Sequence, residues 1–131
     1  MTIYTLKEIE SVKGRYKFYH LIIDGFSNFE RFCNELDEKY KSELMTILSN
    51  MNEISKLNRL PETKYHHINL YFKNIKGFEF KSKNLRIYGI HEDDTGKIII
   101  LGGFKNQQRK DISKFKSQVK HYMELKLIKN K

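Results

Sequence analysis

A chain of 131 residues is long enough for one ordinary domain and too short for two. Its 39% hydrophobic residues, nine Phe and eight Tyr among the aromatics, can build a core and exclude global disorder. No apolar run approaches the roughly 18 residues of a membrane span. The start, MTIYTLKEIES, lacks the apolar block of a secretory signal. A lone Cys33 excludes an internal disulfide and fits a reducing compartment, so the expectation is one soluble, cytoplasmic domain over 1–131.

The net charge of +9 is unevenly placed. Residues 1–72 hold ten basic and ten acidic side chains, whereas 73–120 hold twelve basic against five acidic. A basic half of this kind attracts polyanions and gains affinity by releasing their counterions.

In chain order, the first strong signal is YKFYHLII, Tyr16 to Ile23, a strand rich in aromatic and β-branched residues that stops at Asp24-Gly25. Ser27 and Glu30 form a capping box and predict a helix start. Phe29, Phe32, Cys33, Leu36 and Tyr40, then Leu44, Ile47, Leu48, Met51 and Ile54, recur at helical spacing, as one long helix or a pair breaking near Tyr40–Ser42. Cys33 lies on that stripe and reads as core. Helix must end by Leu60, because Pro61 pushes its predecessor out of the α region.

Beyond Pro61 the period becomes two. Phe78–Ser82, Leu85–His91 and Lys97–Phe104 predict consecutive antiparallel strands, joined at Lys83-Asn84 and at the polar turn EDDTG. A two-residue loop sets Ser82 opposite Leu85 and Lys81 opposite Arg86. Alternation then puts Phe78, Phe80, Leu85 and Ile87 on the core face and Lys81, Arg86 and Tyr88 on the other. Ile98 to Leu101 is apolar on both faces, as in an interior strand. Gly102-Gly103 would leave the polar face open, and GGFKNQQRKD then leads into a helix striped by Ile112, Phe115, Val119, Tyr122 and Met123. The expected class is α+β, in the order β-α-α-β-β-β-α.

No phosphate-binding glycine loop, dinucleotide fingerprint, HExxH or paired cysteine occurs, and no metal or cofactor is expected. His66-His67 are adjacent on an extended segment and point to opposite faces, which is poor geometry for one ion. Asp93 and Asp94 fit a solvated turn. What remains is Lys, Arg, His and Tyr on a sheet, a set suited to binding phosphate and moving protons.

The stretch Tyr71 to Ile112 resembles the RelE/HigB-like toxins of type II toxin–antitoxin systems, in the branch related to phage Gp49. A lysine–glycine lead-in precedes the FEFK strand, a Leu-Arg-Ile strand follows, and an acidic-glycine turn leads to an apolar strand ending in Gly-Phe before a basic segment. The resemblance implies a small antiparallel sheet with two N-terminal helices on one face and a C-terminal helix. It also implies a metal-independent endoribonuclease that cuts mRNA on the ribosome through the 2′-hydroxyl. Residues 1–14 then form an N-terminal extension without a counterpart.

Carried over by position, the catalytic candidates are Lys81, Arg86 and Arg109, with His91 at a strand end as a further candidate. RNA phosphate would be held by Lys73, Lys76, Tyr88, Lys105, Gln108 and Lys110. Asn106 and Gln107 stand where many relatives have a lysine pair, and no residue is a clear general base. The implied partners are an adjacent-gene antitoxin, acidic or helix-turn-helix, together with ribosome and mRNA, and no membrane. Two other readings stay open: a ParE-like inhibitor of gyrase, and a non-catalytic nucleic-acid-binding module.

Overall fold

Ser27 starts the first helix as its capping box predicts: its hydroxyl accepts the Glu30 amide at 3.1 Å, and helix α1 runs Asn28–Glu35. The stripe then breaks, at Leu36 and Asp37, into a 3-10 turn over Glu38–Tyr40, and α2 runs Lys41–Ser55. The structure, a computed structural model, describes residues 2–72 and 74–129. Its strands are β1 Tyr4–Glu8, β2 Phe18–Ile23, β3 Tyr65–Ile68, β4 Ile75–Lys81, β5 Leu85–Glu92 and β6 Gly96–Phe104, and α3 spans Gln108–Lys129.

The α+β class is as expected; the sheet is not. It is mixed and six-stranded, ordered β1-β2-β6-β5-β4-β3. Three antiparallel pairings join β3 through β6, and β2 lies parallel to β6 because α1 and α2 carry the chain away before the meander returns. The two strands absent from the expected order are the edges, where pairing on one side suffices and the sequence pattern is short. β1 takes up part of residues 1–14 and pairs with β2 from Tyr4↔Ile23 to Glu8↔Tyr19. β3 is only four residues, Tyr-His-His-Ile.

Between the edges the register is the expected one. Ser82 N–H donates to the Leu85 carbonyl at 3.1 Å across the two-residue turn, and Lys81 pairs with Arg86. Phe78, Phe80, Leu85 and Ile87 join Phe18, Ile47, Met51 and Ile99 in one core, under α1 and α2. Cys33 packs against the same core, and burial pushes its thiol up to about 11.

The opposite face carries the main correction. It is covered by α3, whose Phe115, Val119, Tyr122 and Leu125 are buried against Leu21, Ile75, Tyr88, Ile90, Ile98 and Leu101. Burial of four such side chains contributes roughly 2 kcal/mol each, enough to keep the helix seated. The glycine pair assists this closure instead of preventing it. A Cβ on Gly102 would lie 2.5 Å from the Phe32 ring of α1, and one on Gly103 would lie 1.9 Å from Asp111 Oδ2 of α3. Each glycine therefore lets a helix approach one face of β6.

Glu43 of α2 ties the helical layer to the β4–β5 turn. Its carboxylate accepts from the Asn84 amide at 2.8 Å, from the Asn84 side chain at 2.7 Å and from the Ser82 hydroxyl. Burial works against its charge, but these bonds outweigh that and hold the carboxyl below its ordinary value. A lowered carboxyl pKa stabilises the fold above the unfolded value, near 4.3, and that contribution is lost as pH falls through the folded value. Glu43→Ala is expected to cost about 1–2 kcal/mol at pH 7. In urea titrations the gap between variant and wild type should shrink as the pH is lowered below about 4.

Candidate functional site

Alternation along β3, β4 and β5 directs His66, Glu79, Lys81, Arg86 and Tyr88 to the face under α3. His66 lies opposite Glu79, Glu79 opposite Tyr88, and Lys81 opposite Arg86. Glu79 is fully buried, 0% exposed, among aromatics and helix, a position an acidic side chain occupies only with partners. Gln108, the first residue of α3, donates from Nε2 to Glu79 Oε2 at 2.8 Å. On the other side His66 Nε2 stands 3.1 Å from Glu79 Oε1. That second contact is off the hydrogen-bond angle, so Glu79 Oε1 has no hydrogen-bond donor. The imidazole side chain is 29% exposed, on β3 at the edge of the sheet.

Arg86 Nε is also buried here without a hydrogen bond, and the Tyr88 hydroxyl is buried against the Glu79 carboxyl. Tyr88 is fully buried and stacked on Phe115 at 5.6 Å; burial, with Glu79 next to it, raises its pKa far above the ordinary phenol value. Arg86 is 7% exposed, and its Nη1 donates to the Ser82 carbonyl at 2.6 Å and the Leu85 carbonyl at 2.8 Å. Asp111 comes to the same region from α3, and burial raises its pKa despite Lys114 and Lys110.

The expected site residues thus divide. Lys81, Arg86, Tyr88 and Gln108 are brought together, but only Lys81 is a half-exposed cation; Arg86, Tyr88 and Gln108 are engaged in burial and hydrogen bonding. Lys105, Arg109 and Lys110 are exposed around the start of α3, beside Gln108. His91 and Lys76 are elsewhere, paired with each other at the far end of β4 and β5. His91 is on the face that α1 and α2 cover, at the end away from the Lys81 turn. Lys73 lies outside the described residues.

The segment after β6 has a structural role of its own. Lys105–Gln107 form a 3-10 turn, the Lys105 amide donates to the Asn84 carbonyl at 2.8 Å, and Gln108 closes over Glu79. Its polar character places an amide where a buried carboxyl needs one, and the positive end of the α3 dipole faces the same way.

Two residues were not among the site candidates read from the sequence: Glu79, which was passed over, and His66, which was weighed only as a metal ligand. The signal for Glu79 was present: a Glu between Phe78 and Phe80 points away from their core face, to the side of Lys81 and Arg86. His66 was read, rightly, as facing away from His67: His67 stands opposite Phe78, on the other face. Its partner stayed hidden because β3 was not recognised as a strand. Among the described residues no cluster of His, Cys, Asp and Glu could hold a metal ion, and no helix is long and apolar enough to cross a membrane. Compared with protein-family models, with curated proteins and with solved structures, the chain matches none.

The burial of Arg86 gives a direct expectation. Arg86→Ala removes both donors to the turn carbonyls and should cost about 1–3 kcal/mol in urea denaturation, while Lys81→Ala should stay within about 0.5 kcal/mol. Equal effects for the two would show that the buried guanidinium does not hold the turn.

Proposed function

We propose that this protein is an endoribonuclease of the metal-independent, 2′-hydroxyl type, acting as the toxin of a type II toxin–antitoxin pair. The observation that carries the cleavage reading is the His66–Glu79 pair, a partly exposed imidazole 3.1 Å from a fully buried carboxyl, on the same face as Lys81. The toxin role, the RelE/HigB-like fold and the dependence on the ribosome rest on the resemblance of Tyr71 to Ile112. The basic balance of 73–120 favours an RNA substrate and an acidic partner.

In this reading Glu79 orients His66 through Nε2, a contact that a small ring rotation would bring into line when substrate binds. His66 Nδ1 takes the proton of the RNA 2′-hydroxyl. The 2′-oxygen bonds to the adjacent phosphorus, and the bond from phosphorus to the 5′-oxygen breaks. Lys81 offsets the charge that develops on the phosphorane oxygens and is the accessible proton donor for the departing 5′-oxygen. The products are a 2′,3′-cyclic phosphate and a 5′-hydroxyl. Lys105, Arg109 and Lys110 lie beside this face and attract the strand, while Arg86 and Gln108 hold the site in shape.

Purified protein with programmed ribosomes should cut mRNA in the presence of EDTA and leave 2′,3′-cyclic ends. His66→Gln and Lys81→Ala should each reduce the rate by about 10²–10⁴ with folding retained. Intact mRNA together with supercoiling defects in expressing cells would replace this reading with gyrase inhibition. RNA bound but uncut would leave the non-catalytic binding module.

A further inference from the structure

On the opposite face of the sheet, three adjacent strands place Lys97, His91 and Lys76 in one row, with Lys97↔His91 and His91↔Lys76 as register partners. Lys97 is 8% exposed. Its ammonium lies 5.3 Å from the centre of the Phe78 ring and 3.3 Å from His91 Nδ1, and among the described residues no carboxylate lies within ion-pair distance of it. His67 borders the row from β3, opposite Phe78. An open groove of about 440 Å³ reaches His91 past Arg15, Tyr16 and Lys17. The acids at its rim are Asp93 and Asp94, with Asp93 Oδ1 3.8 Å from His91 Nε2 and itself exposed.

A buried ammonium without a counter-charge is costly, and a methionine of similar length would fill the space without that cost. The surroundings reflect the strain. Burial, then the charge of Lys76, lowers the Lys97 pKa to about 8. Burial and Lys97 also lower His91 and His67, so both imidazoles are held toward the neutral form in which a ring nitrogen is a donor or an acceptor but adds no charge. Adjacent strands are about 4.8 Å apart, so Lys76 and Lys97 flank His91 at a spacing that lets two long side chains close on one small anion above it. Cations gathered in this way, with the two exposed acids confined to the rim, match an anionic ligand such as a tetrahedral oxyanion and not an apolar or cationic one.

We propose that Lys97, His91 and Lys76 form a phosphate-binding site, separate from the His66–Glu79 face, which takes a phosphate group either free or carried by a nucleotide or RNA end. Lys97 supplies the central charge, Lys76 the second, and the His91 ring a directed hydrogen bond. The site stands whether or not the other face cleaves RNA.

Thermal unfolding with inorganic phosphate, against chloride at equal ionic strength, tests it. At a hundredfold excess over Kd, phosphate should raise the wild-type midpoint by roughly 10 °C. Lys97→Met should keep or raise the midpoint without ligand and abolish the phosphate-dependent rise. Lys76→Gln, at an exposed position, should reduce apparent affinity by at least about tenfold without altering the ligand-free midpoint. The same assay with a short oligoribonucleotide, with and without a 5′-phosphate, separates the sources: only the phosphorylated form should act if the terminus is bound, both if the backbone is, and neither if free phosphate is the ligand. His66→Gln, defective in cleavage, should bind phosphate like wild type. Equal shifts in phosphate and chloride, or an undiminished shift in Lys97→Met, would overturn the site.

Discussion

Both faces of the central strands are covered by helices, so every polar side chain that alternation directs inward must find its partner there. The structure depends on how that constraint is met. Glu79, Arg86, Glu92 and Lys97 all lie on β4, β5 or β6 with at most 8% of their surface exposed. Glu92 is satisfied by α3, through the Tyr122 hydroxyl at 2.7 Å and the Lys126 ammonium. Glu79 is satisfied in part by the other end of α3, through Gln108. The long C-terminal helix is therefore pinned by a carboxylate near each end, with an apolar stripe between them. A sheet with one open face would need neither pin.

Sequence patterning made the central architecture legible because its signals are local. The capping box at Ser27, the helix break before Pro61, the Lys83-Asn84 turn and the facing of Lys81 with Arg86 each follow from a few neighbouring residues. The edges escaped because β1 and β3 derive their order from partners far away in the chain, Ile23 to Tyr19 for one and Phe80 to Gly77 for the other. The closed face escaped for a related reason. A glycine pair reads as open space until the neighbours are known, and here the neighbours are Phe32 on one side and Asp111 on the other. The irregular step between Tyr88 and Gly89 in the β5–β6 ladder has the same origin. It turns both Ile100 and Leu101 toward α3, which simple alternation forbids.

The site was legible in kind and only partly in place. Basic and proton-moving groups on a sheet were foreseen, but the sheet distributes them over two faces and two ends. β3 shows how this happens: His66 and His67 are neighbours in sequence, and period-two geometry gives one to each face. One imidazole meets a buried carboxyl, and the other borders a buried lysine. Their surroundings are opposite in sign. His66 stands 3.1 Å from a carboxylate oxygen, whereas burial and then Lys97 and Lys76 oppose a proton on His67.

That difference in sign bears on what each face is able to do. Proton abstraction needs an imidazole whose conjugate acid is stabilised as it forms, and a nearby carboxyl supplies this. Anion capture needs fixed positive charge that an approaching ligand neutralises, and uncompensated lysine supplies that. Neither arrangement would serve in the other's place. With Glu79 beside it, Lys97 would already have its counter-ion. A four-residue edge strand thus gives its two histidines electrostatic surroundings of opposite sign by nothing more than the pleat of the sheet.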